Sequence, residues 1–397
     1  MIKQFDYKLI EYISAFLFFL TLRPSFAWSM SHIVYMTLLF LVLLPKINLR
    51  EKNNSALFLM FFVILCIVPV MHGSKINTFL YYTMFSIVPF LKRKFAMNTF
   101  HVFRIGLAVI TAISLIVWFL VVILQIDLPH SVIAPLNSLK SYKYLSYPLL
   151  VIPQIYGDPL FAVRFCCVFD EPGAIGTYSL LILYIGNFNF KKWYNVIYLI
   201  AGILSYSLFF YVGLVIFVLF RVFTIQSQKK YRYWAIAGVA LLYVGAQTIP
   251  ILSEKIGTRL EYDEERGRFV GDNRTSKELD DYIESIEGSR AYVWGEKKEI
   301  VEHFNSSASI KNAILRYGMV FILLFFLFFF FYARSYLKGN RTELFLFMLL
   351  LYVTLYQRPA FVSPAYLFMF SIVVITRYEE LRSNSVAIGP VREYYEQ

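Results

Sequence analysis

Arg164, Asp170 and Glu171 fall within one ten-residue stretch, Arg164-Phe165-Cys166-Cys167-Val168-Phe169-Asp170-Glu171-Pro172-Gly173, directly before an apolar run from Pro172 to Phe188. A guanidinium and two carboxylates at the edge of an apolar helix can bind an anion, orient a hydroxyl or take its proton. Ionisable groups in that setting are costly unless paired or used. Arg164 and Glu171 are seven apart, so they share a face if the segment is helical and oppose each other if it is extended. Pro172 suits the first turn of a helix and biases Glu171 away from the helical region. Glu171 is therefore expected at a helix N-terminus, where the positive dipole end also favours phosphate. The plainer alternative is an arginine among lipid headgroups and a helix-capping acid.

A second polar concentration lies in residues 251–312, which hold fourteen acids interleaved with ten Lys and Arg. Thr275-Ser276-Lys277-Glu278 reads as a capping box. Leu279, Tyr282, Ile283 and Ile286 then form an apolar stripe, and Gly288 is a plausible stop. Ser289-Arg290 follows, then a second stripe of Val293, Trp294, Lys297, Ile300, Val301 and Phe304. Two amphipathic helices on a membrane–water boundary fit this pattern. His303 is a candidate general base, since neutral imidazole is available near pH 7. It stands thirteen residues from Arg290, about 140° around one continuous helix. The two can share a site only if Gly295 or the loop breaks that helix.

These side chains need elements to position them, and composition says which. Hydrophobic residues make up 58% of 397 and mean hydropathy is +0.59, above the roughly 45–50% apolar usage of soluble domains. Apolar stretches recur along nearly the whole chain, which indicates an all-α polytopic integral membrane protein. About twelve spans are expected, near 9–22, 28–45, 56–73, 76–91, 105–126, 172–188, 194–207, 208–224, 233–250, 313–332, 343–357 and 361–377. The seventh and eighth meet at Ser205-Tyr206-Ser207 and can be read as one broken element. The segments are then 1–126 with five spans, an extracytoplasmic loop 127–171, four spans in 172–250, a large loop 251–312, three spans in 313–377 and a tail 378–397. The first span reads as a retained helix and not a cleaved signal.

Twenty Lys and Arg fall in one set of connections and termini, against three (Arg23, Lys75 and Arg358) in the short connections of the other. The positive-inside bias places both termini in the cytoplasm and both long loops outside the inner membrane. The net charge of +12 divides into −4 for residues 251–312 and +16 for the remainder. That excess belongs to topology and anionic-lipid contact, not nucleic-acid binding. Cys66, Cys166 and Cys167 make no disulfide framework, and no Cys/His metal spacing, P-loop or dinucleotide fingerprint is present.

Arg164 to Gly173 resembles the arginine–six-residue–Glu-Pro element of the bacterial O-antigen and capsular polysaccharide polymerases, the Wzy family, which are related to O-antigen ligases. Leu204-Ser205-Tyr206-Ser207 is similar to that family's serine-containing break. Gly288-Ser289-Arg290, Ser306-Ser307-Ala308-Ser309, Asn312 and Tyr317-Gly318-Met319-Val320 are similar to its late outer loop and re-entry. The order of these motifs and the span plan extend over almost the whole chain. Where the family carries a small residue, usually glycine, between the arginine and the acid, this chain has Cys166 or Cys167.

The resemblance implies a GT-C-like glycosyltransferase of the bacterial inner membrane that needs no cofactor and no metal. It would join undecaprenyl-pyrophosphate-linked oligosaccharide repeat units at the outer face, in O-antigen or capsule synthesis. A chain-length regulator and a flippase of the same pathway are the implied partners. Arg164 and Arg290 suit the pyrophosphate, because arginine binds phosphate at two points and stays ionised beside lipid. Glu171, then Asp170, then His303 are candidates to activate or orient the acceptor hydroxyl. Tyr156, Tyr292 and Trp294 are candidates to stack on sugar rings, although such residues also collect at membrane interfaces. An O-antigen ligase is the alternative within the same chemistry. A lipid-linked oligosaccharide flippase is the alternative of another class, and neither internal repeats nor many mid-span charges favour it.

Overall fold

The computed structural model describes residues 8–50, 54–72, 76–136, 142–154, 163–224, 232–248, 253, 257–258, 261–264, 268–270, 276–304, 309–337 and 339–387. The chain is mostly helical. In order the elements are α1 (Leu9–Thr21), α2 (His32–Leu43), α3 (Asn54–Met71), α4 (Ile76–Met84) and α5 (Arg93–Trp118), then β1 (Ser131–Ile133), β2 (Lys143–Tyr147) and β3 (Leu150–Gln154). They continue with α6 (Pro172–Ile185), α7 (Trp193–Leu204), α8 (Leu208–Thr224), α9 (Arg232–Thr248), a short β4–β5 ribbon (Tyr262–Asp263 and Arg268–Phe269), α10 (Lys277–Ser285), α11 (Arg290–Trp294) and α12 (Lys298–His303). The last three are α13 (Ile310–Leu337), α14 (Arg341–Gln357) and α15 (Pro364–Ala387).

Every apolar segment named above is helical over most of its length. Three helical stretches, Asn54–Met71, Arg93–Ile123 and Ile310–Leu337, are long and apolar enough to cross a membrane. α5 begins twelve residues before the expected 105, because Lys94, Asn98, Thr99 and His101 dilute the apolar signal of a turn-by-turn continuous helix. The mostly helical chain fits the expected all-α membrane protein, with two small sheets added. Residues 131–154 form a three-stranded antiparallel sheet in the order β1-β2-β3. Tyr144 and Tyr147 of β2 are buried while Lys143 is exposed; the two tyrosines are three apart and so on opposite faces, and no period-two alternation marks the strand.

The chain divides into two compact units, one of residues 1–18, 33–101 and 277–397, the other of 19–32 and 102–276. In the first unit α13 is central and packs on α3, α14 and α15. Phe61 stacks on Phe328 at 4.1 Å, Phe325 and Phe329 are fully buried, and the Tyr332 hydroxyl donates to the Pro89 carbonyl at 2.8 Å.

In the second unit α6, α7 and α8 pack closely because glycines admit their neighbours. A Cβ at Gly202 would stand 2.2 Å from the Phe210 ring, and one at Gly213 would stand 2.2 Å from Leu180 Cδ2. Small residues at helix contacts are what tight packing in an apolar surround requires. α6 begins as the sequence implies. Pro172 occupies its first turn and Glu171 before it is extended, with φ −147° and ψ 140°.

Candidate functional site

The stretch from 163 to 171 in the second unit is held by its backbone against five other elements. The Trp118 indole donates to the Val163 carbonyl at 3.1 Å, and the Phe165 N–H donates to the Leu204 carbonyl at 2.9 Å. The Val151 N–H donates to the Cys167 carbonyl at 2.9 Å, and the Ser25 N–H to the Val168 carbonyl at 2.7 Å. The Tyr144 hydroxyl donates to the Asp170 carbonyl. A non-repetitive segment with buried side chains must place its main-chain polar groups somewhere, and these bonds are where they go.

Arg164 is 6% exposed. Its Nε donates to the Ser205 carbonyl and its Nη2 to the Tyr206 carbonyl, both at 3.1 Å. These carbonyls follow the end of α7, where the last turn leaves acceptors without intrahelical donors and the dipole is negative. The Ser205 hydroxyl turns back to the Gly202 carbonyl at 2.6 Å and receives the Ser207 N–H at 3.3 Å. Gly176 of α6 packs against this break, since a Cβ there would lie 2.8 Å from Ser207 Cβ. The serine-containing join is therefore a real interruption between two helices, with Tyr206 at φ 46°.

Asp170 and Glu171 are each half-buried, at the entry to α6. Glu171 is the N-cap residue by backbone conformation but forms no side-chain capping bond. The capping reading of this acid thus finds no support in the hydrogen bonding. Cys167 adopts φ 56°, in the left-handed region that glycine favours. Its thiol is fully buried beside the Thr111 hydroxyl, 3.8 Å away, and burial pushes its pKa up to about 11.

The second unit also supplies residues that the sequence did not single out. Tyr144 is fully buried, and the indole of Trp28 and the phenol of Tyr142 meet it edgewise at 5.3 and 5.4 Å. Burial, then the adjacent Tyr142, hold the Tyr144 phenol protonated far above its ordinary range. The Asp170 carbonyl can only accept, so the Tyr144 proton goes there. Tyr142, 3.4 Å from the Tyr144 oxygen, is left as donor in that pair.

In the first unit the amphipathic reading of 277–286 is realised as α10, with Leu279 and Ile283 buried. Gly288 has φ 74°, as a helix stop requires. Thr275 of the expected capping box lies outside the described residues. The second stripe does not form one helix. Gly295 at φ 92° separates α11 from α12, so the condition for Arg290 and His303 to leave a common helical register is met.

Arg290 is exposed in the first turn of α11, whose N-cap Ser289 accepts the Tyr292 N–H at 3.3 Å. His303 is also exposed, with Nε2 3.2 Å from Glu278 and its ring edge-on to Phe304 at 4.8 Å. Tyr292 and Trp294 are half-buried. The Trp294 carbonyl faces His72 Nε2 at 3.2 Å, so that nitrogen carries the proton. Tyr156 lies outside the described residues. The structure thus groups Arg164, Asp170 and Glu171 in one unit and Arg290, Tyr292, Trp294 and His303 in the other.

α11 is seated on a break in α13. Gly318 has φ 78° and ψ 155°, and a Cβ there would lie 2.5 Å from the Val293 oxygen and the Trp294 carbonyl carbon. The Leu315 carbonyl, which the break deprives of an ordinary helical donor, accepts the Glu296 N–H at 2.6 Å. Among the described residues no group of three or more His, Cys, Asp or Glu is placed to hold a metal ion.

Comparison with protein-family profiles, with curated proteins and with solved structures gave no match.

Proposed function

We propose that this chain is a polysaccharide polymerase of the bacterial inner membrane. In this reading it joins undecaprenyl-pyrophosphate-linked repeat units at the outer face, in O-antigen or capsule synthesis. The observation that carries the proposal is the clamped stretch 163–171. It fixes a buried guanidinium at a helix break and delivers two carboxylates to the start of an apolar helix.

Transfer of a glycan from a polyprenyl pyrophosphate to a sugar hydroxyl needs fixed positive charge for the leaving group and an acceptor for the hydroxyl proton. Glu171 takes the second role, because it stands at the α6 N-terminus. Asp170 is second to it. Arg164 supplies fixed charge and holds the serine break in place. Arg290, exposed at the first turn of α11, is the freer of the two arginines to grip a phosphate. His303, paired with Glu278 at the surface, is the weakest of the three base candidates. Twelve spans, cytoplasmic termini and external loops at 127–171 and 251–312 belong to the same proposal, supported by the lysine and arginine bias. A chain-length regulator and a flippase are its proposed partners.

Deletion of the gene, with the surface polysaccharide displayed as a ladder on a gel, tests it. Single repeats on the core or carrier are the expected outcome. Long polymer left unattached would indicate a ligase, loss of both would indicate a flippase, and an unchanged ladder would end the proposal.

A further inference from the structure

We infer that Trp28 and Tyr142 form the walls of a sugar-binding platform beside Asp170, at which a pyranose ring stacks and its hydroxyls reach the carboxylates. The inference rests on the glycosyltransferase reading for its biological meaning and on the geometry of the second unit for its existence. Trp28 and Tyr142 come from sequence segments more than a hundred residues apart, yet both flank the same buried ring, Tyr144. Interplanar angles of 72° and 62° set them edgewise to that ring and not stacked on it.

Each wall is fixed. The Trp28 indole donates to the Arg23 carbonyl at 3.0 Å, and the turn that carries it is tied to Val168 through Ser25. Tyr142 leads into β2, and with Ile133 and Trp28 it packs on the buried cluster of Tyr144, Val151 and Cys166. Both residues are half-buried, so part of each stays accessible. The Tyr144 hydroxyl joins this cluster to the Asp170 main chain, which puts the platform next to the two acids.

A pyranose has one requirement for each part of this arrangement. Its C–H face needs an aromatic surface and its hydroxyls need carboxylate or phenol partners, the mixture of apolar walls and few polar groups that ligand sites show. An ordinary aromatic belt explains Trp and Tyr singly at a membrane edge. It does not explain why two of them are locked around a third that bonds to the acid-bearing segment.

The full-length protein in lipid nanodiscs is labelled with 5-fluorotryptophan and titrated with short lipid-free oligosaccharides. The probe comes from partial acid hydrolysis of the producing cell's own surface polysaccharide. The fluorine resonance of Trp28, assigned with Trp28→Phe, is expected to shift on sugar addition while that of the outlying Trp193 stays. Trp28→Leu and Tyr142→Leu are each expected to weaken binding roughly three- to tenfold, with Trp28→Phe between. Sugar binding without movement of the Trp28 resonance overturns the platform, and so does a wild-type protein that binds no sugar. The fluorine measurement holds even if a leucine variant fails to fold. The gene-deletion ladder separates the two proposals. A polymerase ladder without sugar binding at Trp28 removes only the platform, whereas binding at Trp28 with an unchanged ladder removes only the polymerase.

Discussion

Nε of Arg164 lies 3.1 Å from the carbonyl oxygen of Ser205, 41 positions further along the chain, and Nη2 of the same guanidinium reaches Tyr206 at an equal distance. One buried arginine thereby closes the break between α7 and α8. Arg164→Ala should leave both carbonyls without that donor and cost about 1.5–3 kcal/mol for each charged hydrogen bond lost, within a factor of two. Arg164→Lys should keep the charge but lose the two-point geometry. The expected result is a lower thermal midpoint and no polymer for alanine, with partial recovery of both for lysine. Full stability and a normal ladder in Arg164→Ala would remove it from both roles.

Glu171 separates chemistry from capping. Glu171→Gln keeps size and hydrogen bonding but loses the basic carboxylate, so polymerisation should fall roughly 10²–10⁴-fold at normal protein abundance. Asp170→Asn is the control at the neighbouring position and should fall less. A wild-type ladder from Glu171→Gln would leave that carboxylate with no part in the reaction.

Gly318→Ala should be severely destabilising. Its backbone conformation is open essentially only to glycine, and the added carbon would strike the backbone of Val293 and Trp294. A loss of order 1–3 kcal/mol from strain alone is expected, read as a lower midpoint in thermal unfolding. Gly339→Ala, with φ 87° but open space around it, should lose only the conformational part.

The Cys167 thiol offers a pH test. Its pKa is raised from 9.0 to about 11 by burial, so the native state favours the protonated form. Stability from this group is complete below pH 9 and is lost as pH rises through about 11, on the order of 2–3 kcal/mol across that window. Maleimide should accordingly label Cys167 only after unfolding, and denaturant midpoints should drop between pH 9 and 11. In Cys167→Ala that part of the drop should vanish.

Topology is testable with exposed positions. In intact cells Ser131→Cys and Lys277→Cys should react with a membrane-impermeant thiol reagent, while Lys191→Cys should react only after permeabilisation. Protection of Lys277→Cys in intact cells would reverse the proposed orientation.

Local chemistry was legible without coordinates. The apolar helices, the start of α6 at Pro172, the amphipathic α10 and its stop at Gly288 each follow from a dozen residues or fewer. Periodicity, a proline that cannot donate and a glycine that tolerates positive φ act within that range. The sheet in 131–154 was not legible, because strands of three to five residues leave too little alternation to distinguish from loop. Nor did the sequence determine what the site residues touch. Tertiary packing alone decided that Arg164 is spent on two carbonyls 41 and 42 positions away, that Tyr144 bonds to Asp170, that Trp28 stands beside Tyr144, and that His72 meets Trp294 222 positions on. Partners at such separations are chosen by which surfaces bury together, and no local pattern records that choice.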